Sequence, residues 1–280
     1  MTDGALAAGT VGLGWRDATA WLCATSPAVG FVEVIAENLP RSGPLPAALT
    51  ALVARGTPVI PHGVALGLGG AEPPDRARLA RLAGAARALN APFVSEHVAF
   101  VRGGGREVEH LLPVPRTAAM LAILTDNIRR AQDALPVPLV LENIAALFTW
   151  PDPDQLPAAE FLRALVDRTG CRLLIDVSNL HGDAVNHGCD ADAFLRAFPP
   201  AAVAYLHIAG GVTRDGVYHD THAHPVPAGP RALLARYRAI HGAVPPVLLE
   251  HDAQFGDRAA LTSELDALAA LTRPEVRDAA

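Results

Sequence analysis

In this chain, residues able to bind metal ions recur at one kind of place, directly after a short apolar run. The runs are PVIPHG (58–63), PFVSEH (92–97), LVLEN (139–143), LLIDVSNLHGD (173–183), AYLHIAG (204–210) and PVLLEH (246–251). They deliver His62, His97, Glu142, Asp176 with Asn179 and His181, His207 and Glu250, and a later loop adds Asp220 and His222. Taken singly, each is more often a hydrogen-bonded structural residue than a ligand. Brought to one place, four carboxylates and five imidazoles would repel one another or shift their own pKa values unless cations lay between them. With Asn179 the set numbers ten, more than one ion accepts, so two or three ions are expected, at least one carboxylate bridging. Imidazole and carboxylate without thiolate suit iron, manganese or zinc rather than magnesium or calcium, and the residues alone do not choose among the three.

Smaller roles follow from spacing. Asp220 and His222 stand two apart, as do Asn179 and His181; on extended segments such pairs share a face, so the two pairs are expected to clasp one ion. Glu142 and Asp252 are the candidate catalytic carboxylates, Asp252 as a base. Glu33 is expected to point into the fold as structure or ligand support. Asn143, Ser178, Asn186, His187 and His251 are expected to orient ligands through hydrogen bonds, and His110, His219, His224 and His241 to lie in loops or on the surface.

The elements that must position these groups alternate along the chain. Strands are expected at 11–15, 31–35, 58–61, 93–95, 139–141, 173–175, 203–206 and 247–249, with helices at 17–25, 45–55, 76–89, 117–134, 158–168, 190–197, 231–241 and 259–271. Eight strand–helix units in about 250 residues predict the α/β class: a (β/α)8 barrel of TIM type, one domain over 1–280 with its core at about 11–272. The active site of such a barrel lies at the C-terminal strand ends, where every candidate ligand stands.

Composition narrows the chemistry. All 23 basic residues are arginine, so mechanisms that need a lysine amine, among them Schiff-base aldolases, pyridoxal-phosphate enzymes and P-loop NTPases, are excluded. A net charge of −6 offers no general attraction to nucleic acid or anionic membrane. Three widely spaced cysteines, Cys23, Cys171 and Cys189, fit neither a disulfide framework nor a zinc finger. No targeting segment or membrane span is read, which predicts a cytoplasmic protein.

The segments PHGVALGLGG (61–70), VSEHVAF (94–100), HLLPVP (110–115), VLENIAALF (140–148), LLIDVSNLHGDAVNHG (173–188), LHIAGG (206–211), DTHAHPV (220–226) and LLEHD (248–252) together resemble the multinuclear non-haem iron-dependent oxidases, a family that includes the methanobactin-biosynthesis oxidase. The resemblance spans roughly residues 11–265 and implies a TIM-type barrel with two or three irons in mixed Fe(II)/Fe(III) valence and O2 as co-substrate. It implies one iron on His62, His97 and bridging Glu142, a second on Glu142, Asp176, His207 and Glu250, and a third on Asn179, His181, Asp220 and His222. It also implies oxidation of Cys, or of Asp or Asn, in a ribosomally made precursor peptide, with a separate partner protein that recognises the leader. This chain departs from the family pattern at His251, where many relatives have Trp, at His181, where many have Tyr, and at its opening GLGW.

Three other readings compete. A trinuclear zinc phosphoesterase of the endonuclease type uses a comparable ligand set but needs basic residues along a nucleic-acid backbone. A sugar isomerase on the same barrel usually needs a lysine that is absent here. A non-catalytic metal scaffold would not need so many ligands at an open mouth.

Overall fold

Apolar runs covered on both faces belong in a parallel sheet, and the chain uses its eight runs that way. The computed structural model describes residues 6–273. Strands β1 (Val11–Gly14), β2 (Val29–Ile35), β3 (Val59–His62), β4 (Val94–His97), β5 (Leu139–Glu142), β6 (Arg172–Asp176), β7 (Val203–Ile208) and β8 (Val247–Leu249) pair in parallel and close, β8 against β1, into a barrel. Between and after them run helices α1 (Ala20–Thr25), α2 (Ala47–Ala54), α3 (Arg76–Ala88), α4 (Ala118–Ala134), α5 (Ala158–Thr169), α6 (Val177–His187), α7 (Ala191–Arg196), α8 (Ala228–His241) and α9 (Arg258–Thr272). Among the described residues, no helix is long and apolar enough to cross a membrane.

Side chains two apart on a strand share a face, and the inward faces repeat one pattern. Phe31 precedes Glu33, Ile60 precedes His62, Phe93 precedes Ser95, Val140 precedes Glu142, Leu174 precedes Asp176, Tyr205 precedes His207, and Leu248 precedes Glu250. The first members pack together as a small apolar cluster that fills the barrel. The second members form a buried polar layer one step nearer the C-terminal ends. Gly12 makes room for this filling, since a Cβ there would meet the Phe31 ring at 2.5 Å. Outside the sheet a larger apolar layer, including Leu82 of α3 and Leu124 and Ile128 of α4, joins strands to helices. Each fully buried Leu or Phe contributes about 1.5–3 kcal/mol, so the layers fix the strand ends firmly.

Three regions differ from the sequence reading. The segment after Asp176 is helix, not extended chain: the Asp176 carboxylate accepts the N–H groups of Ser178 (2.6 Å) and Asn179 (2.8 Å), which starts α6, and Gly188, at φ +69°, ends it. Two hairpins stand outside the eight expected strands, Phe100–Gly103 with Arg106–Leu112 and, before the Asp220 loop, Val212–Arg214 with Val217–His219. Asp215 and Gly216 turn the second one, both at positive φ (52° and 80°), the signature of a two-residue hairpin turn.

Candidate metal centre

Strand register decides which of the candidate ligands meet. His97 on β4 pairs with Glu142 on β5, and Asp176 on β6 with His207 on β7. His97 Nε2 comes within 3.2 Å of Glu142 Oε2, and His62 Nε2 within 3.5 Å of the same oxygen. The other oxygen, Oε1, lies 3.5 Å from His207 Nδ1, which is itself 3.2 Å from Glu250 Oε2. Glu142 thus faces two sets of ligands at once, as a bridging carboxylate must.

Further out, loops supply the groups. His222 Nδ1 lies 3.4 Å from Glu250 Oε2 and 3.3 Å from Asp252 Oδ2, while its Nε2 lies 2.8 Å from Asp220 Oδ2. His222 sits in the left-handed region at φ +49°, and its carbonyl accepts the Asp252 N–H at 2.7 Å. Asp220 and His222 do meet, but through this strained turn and not through the alternation of an extended segment. Arg16 pairs with Asp252 and lies 3.8 Å from Glu250 Oε1, tying the β1 loop to this outer set.

The ligand atoms form four overlapping groups, each within 4.8 Å: His62, His97 and Glu142; Glu142, Asp176 and His207; Asp176, Asp220 and His222; His222, Glu250 and Asp252. Counting only the protein's own groups, protons would have to play the cation's part. Burial alone would lower His97, yet the Glu142, Glu96 and Glu250 carboxylates hold it up at about 9. Burial works against protonation of His207 and His222 as well, and neighbouring carboxylates (Glu33 and Glu142 for the first, Glu250 and Asp220 for the second) raise both well above the ordinary imidazole value. Asp176 is pushed up to about 7 by burial and by the charges of Asp220 and Glu142. Burial would raise Glu142 too, but the rings of His97, His207 and His62 outweigh it and hold its carboxyl below the ordinary value.

Four buried atoms within these groups have no hydrogen bond of good geometry, although two of them lie 3.2 Å from a neighbour: Glu142 Oε2, Asp176 Oδ2, His207 Nδ1 and Asp220 Oδ1. Orphaned buried acceptors are costly, and here they cluster on facing side chains. Asp176 shows the division of labour, one oxygen capping α6 and the other left for the cluster. A set of imidazole and carboxylate donors with unsatisfied atoms facing one another fits divalent or trivalent first-row ions. The three cysteines are free, and none belongs to any of the groups.

The remaining candidates separate. Asn179 is buried at the start of α6, its amide donating to the Asn143 carbonyl at 2.9 Å. His181 falls outside all four groups: on a helix, residues two apart point in nearly opposite directions, so Asn179 and His181 do not form a clasp. The His181 ring packs edge-on against Tyr218, 4.8 Å between centroids, and over the backbone of Gly229, where a Cβ would collide with it. Of the supporting residues, Asn143 clamps the Asp176 backbone from both sides, at 2.9 and 3.1 Å, and Ser178 bonds Ala209 at the end of β7. Asn186 bonds the Tyr218 backbone of the second hairpin, and His251 is buried against Phe255. Arg16 escaped sequence reasoning, since a lone Arg after a Gly-rich strand carries no signal.

Comparison with known proteins places this geometry. A family model described as "RiPP precursor modification enzyme MbnB/TglH/ChrH", RiPP denoting ribosomally made and later modified peptides, matches residues 10–273. A UPF0276 protein of Streptomyces avermitilis is 51% identical over 264 residues, covering 92% of this chain, and this chain spans only 54% of that protein's length. A UPF0276 protein of Caulobacter vibrioides is 36% identical over 259 residues, 91% of each chain. Among solved structures, endonuclease IV from Thermus thermophilus superposes with a TM-score of 0.58 at 19% identity, over 94% of this chain and 98% of that one. IOLI protein with a bound zinc atom gives 0.62 at 10% identity, over 92% and 96%. At these identities the structural likeness speaks to the barrel alone.

Proposed function

Because this chain belongs to the MbnB/TglH/ChrH family of RiPP precursor modification enzymes, we propose that it is an O2-dependent multinuclear iron oxidase acting on Cys, or on Asp or Asn, of a precursor peptide delivered with a leader-recognising partner protein. The observation that carries this reading is the run of four overlapping ligand groups at the barrel mouth, with its four orphaned buried atoms. His62, His97 and Glu142 would hold one iron; Glu142, Asp176, His207 and Glu250 a second; Asp220 and His222, with Asn179 at the edge, a third. Bound iron would supply one-electron chemistry and activation of O2.

The chain's own residues set the conditions. Glu142 joins two ligand sets with one carboxylate, so the occupancies of the two inner positions would be linked. Burial of His62, His97, Glu142, Asp176 and His207 keeps bulk water from competing for the inner positions. His222 and Asp252 are the more exposed members, with side chains 20% and 39% accessible, so a substrate side chain would enter on their side. Asp252, held by Arg16 and facing His222 Nδ1, stands where it could take a proton from an incoming residue. Leu147, Phe148, Trp150, Val185 and Val217 are exposed on segments that follow β5, β6 and β7, and apolar side chains on that face suit a peptide better than a phosphate backbone.

The test is O2 consumption and peptide mass change, measured for wild type and for His62→Ala, Glu142→Ala and Asp176→Ala with the cognate precursor peptide. Loss of both signals in all three is expected. Unaltered turnover in these variants would rule the assignment out, and stoichiometric zinc with phosphodiester cleavage would replace it with the hydrolase.

A further inference from the structure

Beneath the ligand layer, a second set of buried polar groups joins two of the proposed ligands from behind. His62 Nδ1 lies 2.8 Å from Ser95 Oγ, Ser95 Oγ lies 2.8 Å from the Tyr205 hydroxyl, and that hydroxyl lies 2.5 Å from Glu33 Oε2. The Glu33 carboxylate closes the line, both its oxygens 3.1 Å from His207 Nε2. All five side chains are buried, and they come from four strands, β2, β3, β4 and β7. Glu33, Ser95 and Tyr205 belong to none of the ligand groups.

The protons in this line can be counted. A serine and a tyrosine hydroxyl each donate one hydrogen bond, a carboxylate only accepts, and a neutral imidazole carries one proton on one of its two nitrogens. His62 turns Nε2, and His207 turns Nδ1, toward Glu142. If those are the ligating nitrogens, the protons stand on His62 Nδ1 and His207 Nε2. His62 then donates to Ser95, Ser95 to Tyr205, Tyr205 to Glu33, and His207 donates to Glu33 from the other end. Every donor finds one acceptor, and both ends terminate on a single carboxylate. With the opposite tautomer of His62, Ser95 must donate to the ring, and the one Tyr205 proton cannot serve both Ser95 and Glu33.

We propose that Glu33, Tyr205 and Ser95 form a positioning strap that fixes the tautomer and orientation of His62 and His207 together, so that one ring presents Nε2 and the other Nδ1 to the cluster. The strap rests on the metal reading above. It makes Glu33 a common anchor for two ligands of different groups, a counterpart from below to Glu142 from within.

The test reads tautomer and affinity apart from activity. Protein labelled with 15N-histidine and loaded with Zn(II), which is diamagnetic, yields the protonated nitrogen of each ring from long-range 1H–15N spectra, and Zn(II) titration gives affinity. Wild type should show His62 protonated at Nδ1 and His207 at Nε2. Tyr205→Phe and Ser95→Ala should free the His62 ring to rebind through Nδ1 or to release Zn(II), so that a form protonated at Nε2 appears, while His207 keeps its own tautomer. Glu33→Gln should disturb both rings and weaken Zn(II) binding about 10–100-fold, the range for outer-shell partners. Wild-type tautomers and affinity in Glu33→Gln and Tyr205→Phe, or a His207 as disturbed as His62 by Tyr205→Phe, would overturn the strap. Should Glu33→Gln not fold, an unchanged His62 tautomer in Tyr205→Phe and Ser95→Ala overturns it equally. Wild-type protein that binds no metal overturns the metal reading along with the strap, whereas wild type and variants that bind alike overturn the strap alone.

Discussion

The inner and outer halves of the cluster are built from the same side-chain types and held in opposite ways. His62, His97, Glu142, Asp176 and His207 stand on strands whose pairing fixes them to their neighbours. Asp220, His222 and Asp252 stand on loops, one of them in a left-handed conformation and another paired to Arg16 on the loop after the neighbouring strand β1. Rigid strand ends suit ligands that must keep ions in place, while loops suit groups that meet a substrate. The difference implies that an inner substitution should disable the whole centre and an outer one only part of it.

Removal of the bridge should have the largest effect. Glu142→Ala takes a ligand from two groups at once, so both inner positions are expected to lose iron, with affinity falling by more than the roughly hundredfold at the upper end for outer-shell changes. Metal analysis of anaerobically loaded protein checks this, and full occupancy in the variant would break the distinction between halves. By contrast, His222→Ala should leave the inner ions bound and lower the iron content by no more than one ion per chain. Loss of all iron there would show that the outer loops hold the centre together.

A stability trade sharpens the comparison within one residue. Asn caps a helix as well as Asp does, so Asp176→Asn keeps the start of α6 while removing a buried charge that Asp220 and Glu142 repel. Metal-free Asp176→Asn is expected to melt at or above the metal-free wild type while binding less iron. A clear fall in melting temperature would contradict this.

The pH dependence follows with its sign. Folded Asp176 keeps until about 7 a proton that the unfolded chain releases near 3.8, and folded His97 keeps until about 9 one that is otherwise lost near 6.5. In both windows the folded state binds more protons, so metal-free stability falls as pH rises from about 4 to about 9. Bound ions require deprotonated ligands, so the loaded protein should lose less stability over this range, or none. Thermal melts from pH 5 to pH 9 with and without metal test it, and a metal-free protein that gains stability with pH would refute it. The smallest effect is expected from His181→Ala, whose ring packs on Tyr218 and Gly229: iron content should not change. Loss of one iron per chain would return His181 to the third site.

How much was legible in the sequence follows the same division. All the inner ligands but His97, which follows Ser95, come two positions after a buried apolar residue on a strand, so the period-2 pattern exposes His62, Glu142, Asp176 and His207 together with the barrel that gathers them. The same alternation marks Glu33 after Phe31 and Tyr205 before His207, though nothing local in the sequence joins them to Ser95 and His62. The outer set obeys no period. The left-handed turn at His222 and the pairing of Arg16 with Asp252 depend on contacts between residues far apart in the chain. After Asp176, two-residue spacing by itself fits extended chain, and it is the Asp cap with a closing Gly188 that spells a helix.

Whether side chains from separate strands enclose a multinuclear iron cluster is decided by anomalous diffraction at the iron edge, from crystals of anaerobically iron-loaded protein. At least two iron peaks are expected, one at bonding distance from His62, His97 and Glu142 and another from Glu142, Asp176 and His207. Iron found elsewhere on the surface, with these side chains bonded only to one another, would contradict such a cluster.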